Sequence, residues 1–88
     1  MADALELHES LDAVKRRAVH GRRDYVAIPV EGGCLAAPLS ADALRAAMRK
    51  QGTQRRFIVV SREKGVSSIH RWRDGMRMLR NIKITGAA

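Results

Sequence analysis

Apolar residues recur at spacings of three and four through the first stretch of the chain: Ala4, Leu7, Leu11, Val14 and Ala18. One stripe of a 3.6-residue period predicts an amphipathic helix over 3–20. Acids occupy its first turns and Lys15, Arg16 and Arg17 its last, as the helix dipole favours. Gly21 is the expected C′ residue. The pattern then shortens. Residues 25–30, YVAIPV, read as a strand, 31–33 as a turn, and 34–37 as the antiparallel return. Pro29 has no N–H for a ladder, which predicts an edge position or a bulge.

A second helix is predicted from Ser40 to about Lys50. Ser40 can cap the free N–H groups, and Leu39 can meet Leu44 as a hydrophobic staple. Asp42 stands in its first turn, Arg49 and Lys50 in its last, and Gly52 follows. Leu44, Ala47 and Met48 form its apolar face, and Arg45 and Arg49 a basic one. Residues 57–60, FIVV, are too short for a helix and read as a central strand, with 63–65 as the turn after it.

Residues 66–80 admit two readings. As a helix, Ile69, Trp72, Met76 and Leu79 share a face and Arg73, Arg77 and Arg80 another, at a cost of about 1 kcal/mol for Gly75. As strands, Asp74-Gly75 is a two-residue hairpin signal, and the alternating 82–85 supplies a further strand. The turn pairs favour strands. The expected fold is therefore α+β: one domain over 1–88, with two helices on a small antiparallel sheet in the order α-ββ-α-βββ. Helix over 66–80 is the alternative.

Length sharpens this. A chain of 88 residues buries roughly 60–65% of its unfolded surface. With Tyr25, Phe57 and Trp72 its only aromatic residues, the core is thin, and a homodimer is a natural remedy. The lone Cys34 excludes an intrachain disulfide and a cysteine-based zinc site, which suits a reducing compartment. The acidic start lacks the apolar region of a secretory signal, and no run is long enough to cross a bilayer. The expected location is cytoplasmic.

Charge changes the picture most. Seventeen Lys and Arg face nine Asp and Glu, and Arg outnumbers Lys thirteen to four. Residues 43–88 hold twelve basic residues against Glu63 and Asp74, a net of +10. Such segregation favours an acidic partner, and arginine suits phosphate or carboxylate. The other reading is a charge that only keeps the protein soluble. Two clusters result. Arg16, Arg17, Arg22 and Arg23, with Lys15, lie within nine residues holding no acid. Arg55, Arg56, Arg71, Arg73, Arg77 and Arg80 make up the second.

Catalytic chemistry finds little support. Cys34 after two glycines could sit exposed on a turn, but a cysteine in an apolar run reads as a small core residue. His8, His20 and His70 are far apart with no metal-binding spacing. Gly32-Gly33 lacks the Lys-Ser/Thr of a phosphate loop. No metal or cofactor is expected. Trp72 reads as a core residue, with stacking on an unpaired base as the alternative.

The segment GVSSIHRWRDG, 65–75, resembles the turn and recognition helix of bacterial helix-turn-helix repressors. The interval from Val66-Ser67 to Ile69 is about two residues shorter than that motif uses, and the preceding FIVVSREKG reads as strand. The first functional expectation is a non-enzymatic protein that binds DNA or RNA by gripping phosphate with arginine. The second is a protein-interaction module, a small adaptor or a phage- or plasmid-borne modulator, docking on an acidic surface of a larger complex. Membrane-surface binding would need a larger apolar helix face.

Overall fold

A computed structural model describes residues 5–50 and 56–85. Its elements run β1 (Glu6–His8), α1 (Leu11–Gly21), β2 (Tyr25–Val30), β3 (Gly33–Pro38), α2 (Ala41–Lys50), β4 (Arg56–Val60), β5 (Ser67–Arg71) and α3 (Trp72–Thr85). The strands form one antiparallel sheet in the order β1-β3-β2-β4-β5. The fold is mixed α+β, as expected, with the element order β-α-ββ-α-ββ-α.

Register assigns the two faces. Val26, Ile28, Ala37 and Phe57 join Leu44, Ala47 and Met48 of α2 in one cluster, with Met78 and Leu79 of α3 packed against it. Ala27, Cys34, Ala36, Ile58 and Val60 meet Val14 and Ala18 of α1 in the other. The sheet is thus sandwiched, with α1 on one side and α2 and α3 on the other. Three alanines in the α1 cluster let that helix approach the strands closely. The α2 side carries the bulk, including Phe57, which is fully buried.

Local signals explain most elements. Ser40 Oγ accepts the Ala43 N–H at 3.1 Å, the expected cap of α2, and Leu39 and Leu44 belong to one cluster. The 25–38 hairpin forms with its turn at Glu31-Gly32. Pro29 stands in an interior strand, but β4 pairs only with Tyr25, Val26 and Ala27. Pro29 therefore has a single neighbouring strand, Cys34 of β3, and no ladder bond is lost.

The first helix is shorter than the periodicity predicts. Glu6–His8 is a strand on β3, and α1 begins only after Ser10, whose Oγ accepts the Ala13 N–H at 3.1 Å. Leu7 shares the helical spacing with Leu11 but is 64% exposed at the sheet edge. The true stripe is Leu11, Val14 and Ala18. Ala4 lies outside the described residues. Gly21 ends α1 without being its left-handed cap. Arg22 takes that conformation (φ 54°, ψ 44°), and Arg22 and Arg23 donate back to the Val19 and Ala18 carbonyls. These two bonds make a Schellman motif one residue later than expected.

Residues 66–80 divide between the two readings. Ser67–Arg71 is a strand, and α3 then runs through Asp74-Gly75 and on to Thr85. The hairpin at Asp74-Gly75 and the strand over 82–85 do not form. Asp74 is instead a helix-start residue: its Oδ2 accepts the Arg71 N–H at 3.1 Å, reaching back from the third position of the helix. Gly75 is buried, and a Cβ there would lie 2.8 Å from Met48 Sδ. Its role is the close crossing of α3 over α2. The stretch resembling a helix-turn-helix is thus a strand followed by the first turn of a helix.

Candidate functional site

The antiparallel order gives the sheet two ends. The C-terminus of α1, the start of β2 and the 61–66 connection from β4 to β5 lie at one end. The starts of β4 and α3 and the end of β5 lie at the other. The two arginine clusters fall at opposite ends.

At the first end, Arg22 and Arg23 leave α1 exposed, with Arg62 and Lys64 exposed on the facing turn. Asp24 ties these segments together: its Oδ1 accepts the Arg62 N–H at 2.9 Å and its carbonyl the Leu39 N–H at 2.8 Å. The described non-glycine residues with positive φ are Arg22 (54°) and Lys64 (63°). Both are basic, and both stand here. Arg62 and Lys64 were not legible as site residues, because only the β2–β4 pairing, Tyr25 opposite Val60, brings their turn beside Asp24. Arg16 and Arg17 lie further back on α1, both exposed, and Arg16 reaches Glu9 at 3.8 Å.

At the second end, register sets Arg56 of β4 directly opposite Arg71 of β5. Alternation from the Ser61 N–H to Val66 carbonyl bond makes this a non-hydrogen-bonded pair, the kind with the closer side chains. Both arginines are exposed. Arg73, Arg77 and Arg80, spaced four and three apart on α3, share its solvent side and are exposed as well. Among the described residues none of these five arginines is in an ion pair; Arg16–Glu9 and Arg45–Asp42 are the arginine pairs present. The nearby carboxylate of Asp74 is engaged by the Arg71 N–H. Arg55 and the side chain of Trp72 lie outside the described residues.

His70 precedes Arg71 on β5 and lies on the α2 side of the sheet, opposite Phe57. Its ring stacks on Phe57, with centroids 5.6 Å apart and planes at 23°. Ser68 Oγ lies 2.7 Å from its Nε2, and Asp74 Oδ2 lies 3.9 Å from its Nδ1. The order Ser–His–Asp matches a hydrolase relay, but the last gap exceeds a hydrogen bond and the Asp74 oxygen already accepts a backbone N–H. The cluster knits β5 to the start of α3.

Cys34 is a free thiol, buried beneath α1, and burial raises its pKa above the ordinary 9.0. It is the small core residue the sequence suggested. No helix among the described residues is long and apolar enough to cross a membrane. Comparison with known protein families, curated proteins and solved structures returned no match to this chain. Fold and site together define a small, strongly basic α+β domain with arginines gathered at both ends of its sheet.

Proposed function

We propose that the protein is a non-enzymatic nucleic-acid-binding module that grips the phosphate backbone through its clustered arginines. One observation carries this reading: Arg56 and Arg71 stand side by side on neighbouring strands without an acid partner among the described residues. Like charges directly opposite each other destabilise a sheet. A phosphate between the two guanidinium groups turns that repulsion into charge-assisted hydrogen bonding. Arg73, Arg77 and Arg80, exposed on α3 on the other side of the sheet, and Arg22, Arg23, Arg62 and Lys64 at the opposite end form further contact regions. Arginine serves phosphate and base edge alike, and the contact proposed here is with the phosphate backbone, with little sequence preference. A cytoplasmic setting accords with the unpaired Cys34 thiol.

Gel shifts with random-sequence duplex and single strands test the proposal. Retardation that survives to about 0.2 M salt and weakens steadily beyond supports phosphate contact through several arginines. No retardation at low salt, together with a stoichiometric complex with one acidic protein, would replace this reading with the interaction module.

A further inference from the structure

The two sides of the sheet carry separate sets of arginines. Arg56 lies two residues before Ile58 on β4 and shares its face, and register sets Arg71 beside Arg56 on that face as well. Ile58 belongs to the cluster under α1, so this pair points to the α1 side. The 61–66 turn leans the same way: at Gly65 a Cβ would lie 3.1 Å from Lys15 Cβ of α1. Arg23, where the chain leaves α1, and Lys64 on that turn are both exposed.

Helix α3 belongs to the other side. Gly75 meets Met48 of α2, and Met78 and Leu79 pack against the cluster that α2 forms with the sheet. At 3.6 residues per turn, Arg77 and Arg80 stand about 140–160° round the helix from Gly75. They therefore point away from α2 and the sheet, and both are exposed. Among the described residues neither is in an ion pair. The sheet and a helix layer separate two arginine surfaces that face opposite ways.

We infer that one copy joins two nucleic-acid duplexes, one held on the α1 side and one on the outer side of α3. The bridge rests on the phosphate-binding reading and adds to it the number of segments held. A duplex is straight at this scale, with a persistence length of about 50 nm, whereas the protein measures 31 × 30 × 27 Å. A duplex seated on Arg56 and Arg71 does not curl round to Arg77 and Arg80, which stay open to a second one. Screening permits the second to approach. Charges are screened over about 10 Å at 0.1 M salt, and even the shortest dimension of the protein, 27 Å, spans more than two such lengths.

Capture between two duplexes tests the bridge. One duplex of about 30 bp, well under the persistence length, is fixed to beads, and a second carries a fluorophore, at about 0.05 M salt. The fluorescent duplex is expected on the beads only when protein is added. Its retention should fall again at large protein excess, when each duplex is covered by its own copies. Arg77→Glu with Arg80→Glu removes one side, and Arg23→Glu, Lys64→Glu and Arg71→Glu together remove the other. Each set is expected to keep the circular dichroism spectrum, still retard a duplex in a gel, and lose the capture. Gln at the same positions serves where a Glu set fails to fold. Retardation by the unaltered chain without capture at any ratio would overturn the bridge and leave phosphate binding standing. Capture that persists in either set would put the joint between copies instead of across one, and would overturn it too. No retardation at all would remove the phosphate reading and the bridge with it.

Discussion

Arg22 holds a left-handed conformation that disfavours a side chain by about 1–2 kcal/mol relative to glycine, although Gly21 lies one position before it. Lys64 repeats the pattern across the same end of the sheet. Strain of this sort at exposed basic residues is a pointer to use rather than to stability. Arg22→Gly is accordingly expected to stabilise the fold by up to about 1 kcal/mol in urea denaturation and to weaken nucleic-acid binding. Gains in both, or losses in both, would separate the strain from function. Cys34 makes the opposite kind of prediction. Folding favours its neutral thiol, since burial raises its pKa above 9.0. Its contribution is complete below the unfolded thiol's pKa and is lost as pH rises through the folded value. Stability measured from pH 7 to pH 10 should therefore decline on the alkaline side, and a thiol reagent at pH 8 should label the unfolded protein faster than the native one.

Among the elements, α3 depends most on a single position. Its closest approach to α2 is at Gly75, where a Cβ would meet Met48 Sδ, Cγ and Cε at 2.8–3.2 Å. Gly75→Leu should cost about 1–3 kcal/mol through overpacking, read as a lower urea midpoint. In Gly75→Ala the helix-propensity gain of about 1 kcal/mol offsets part of the clash with Met48. The same residue shows where sequence reading stopped. Asp74-Gly75 carries strong hairpin chemistry, and only the packing of α3 on Met48, a contact distant in sequence, shows why glycine is needed. Residues 6–8 were hidden for a related reason. Leu7 and Leu11 are four apart by coincidence of a strand and a helix, though Ser10 ahead of Leu11 was a usable start signal. The elements that were legible carry their signals locally: Ser40 for α2, Glu31-Gly32 for the hairpin, and the unbroken 57–60 run for β4. Of the site, the sequence showed arginine clusters. It could not show that Arg56 and Arg71 stand opposite each other, nor that Arg62 and Lys64 join Arg22 and Arg23, because strand register decides both.

At the scale of the whole molecule, two thin apolar layers around one sheet hold two basic ends apart, and among the described residues most arginines are in no ion pair. The formal charge of +8 at pH 7 is a self-repulsion that a polyanion would relieve. Sandwiching the sheet between α1 and the α2–α3 pair leaves the strand ends and the outer side of α3 exposed, so the proposed phosphate contact should not require the core to move. The most direct measurement is the salt dependence of affinity for a random-sequence duplex, followed by fluorescence anisotropy. A log–log slope near −4 to −5 is expected for about five phosphate contacts. It should become shallower by about 1 for each of Arg71→Ala and Arg73→Ala, with stability unchanged. A slope near zero, or one that both substitutions leave unaltered, would contradict phosphate binding by these arginines.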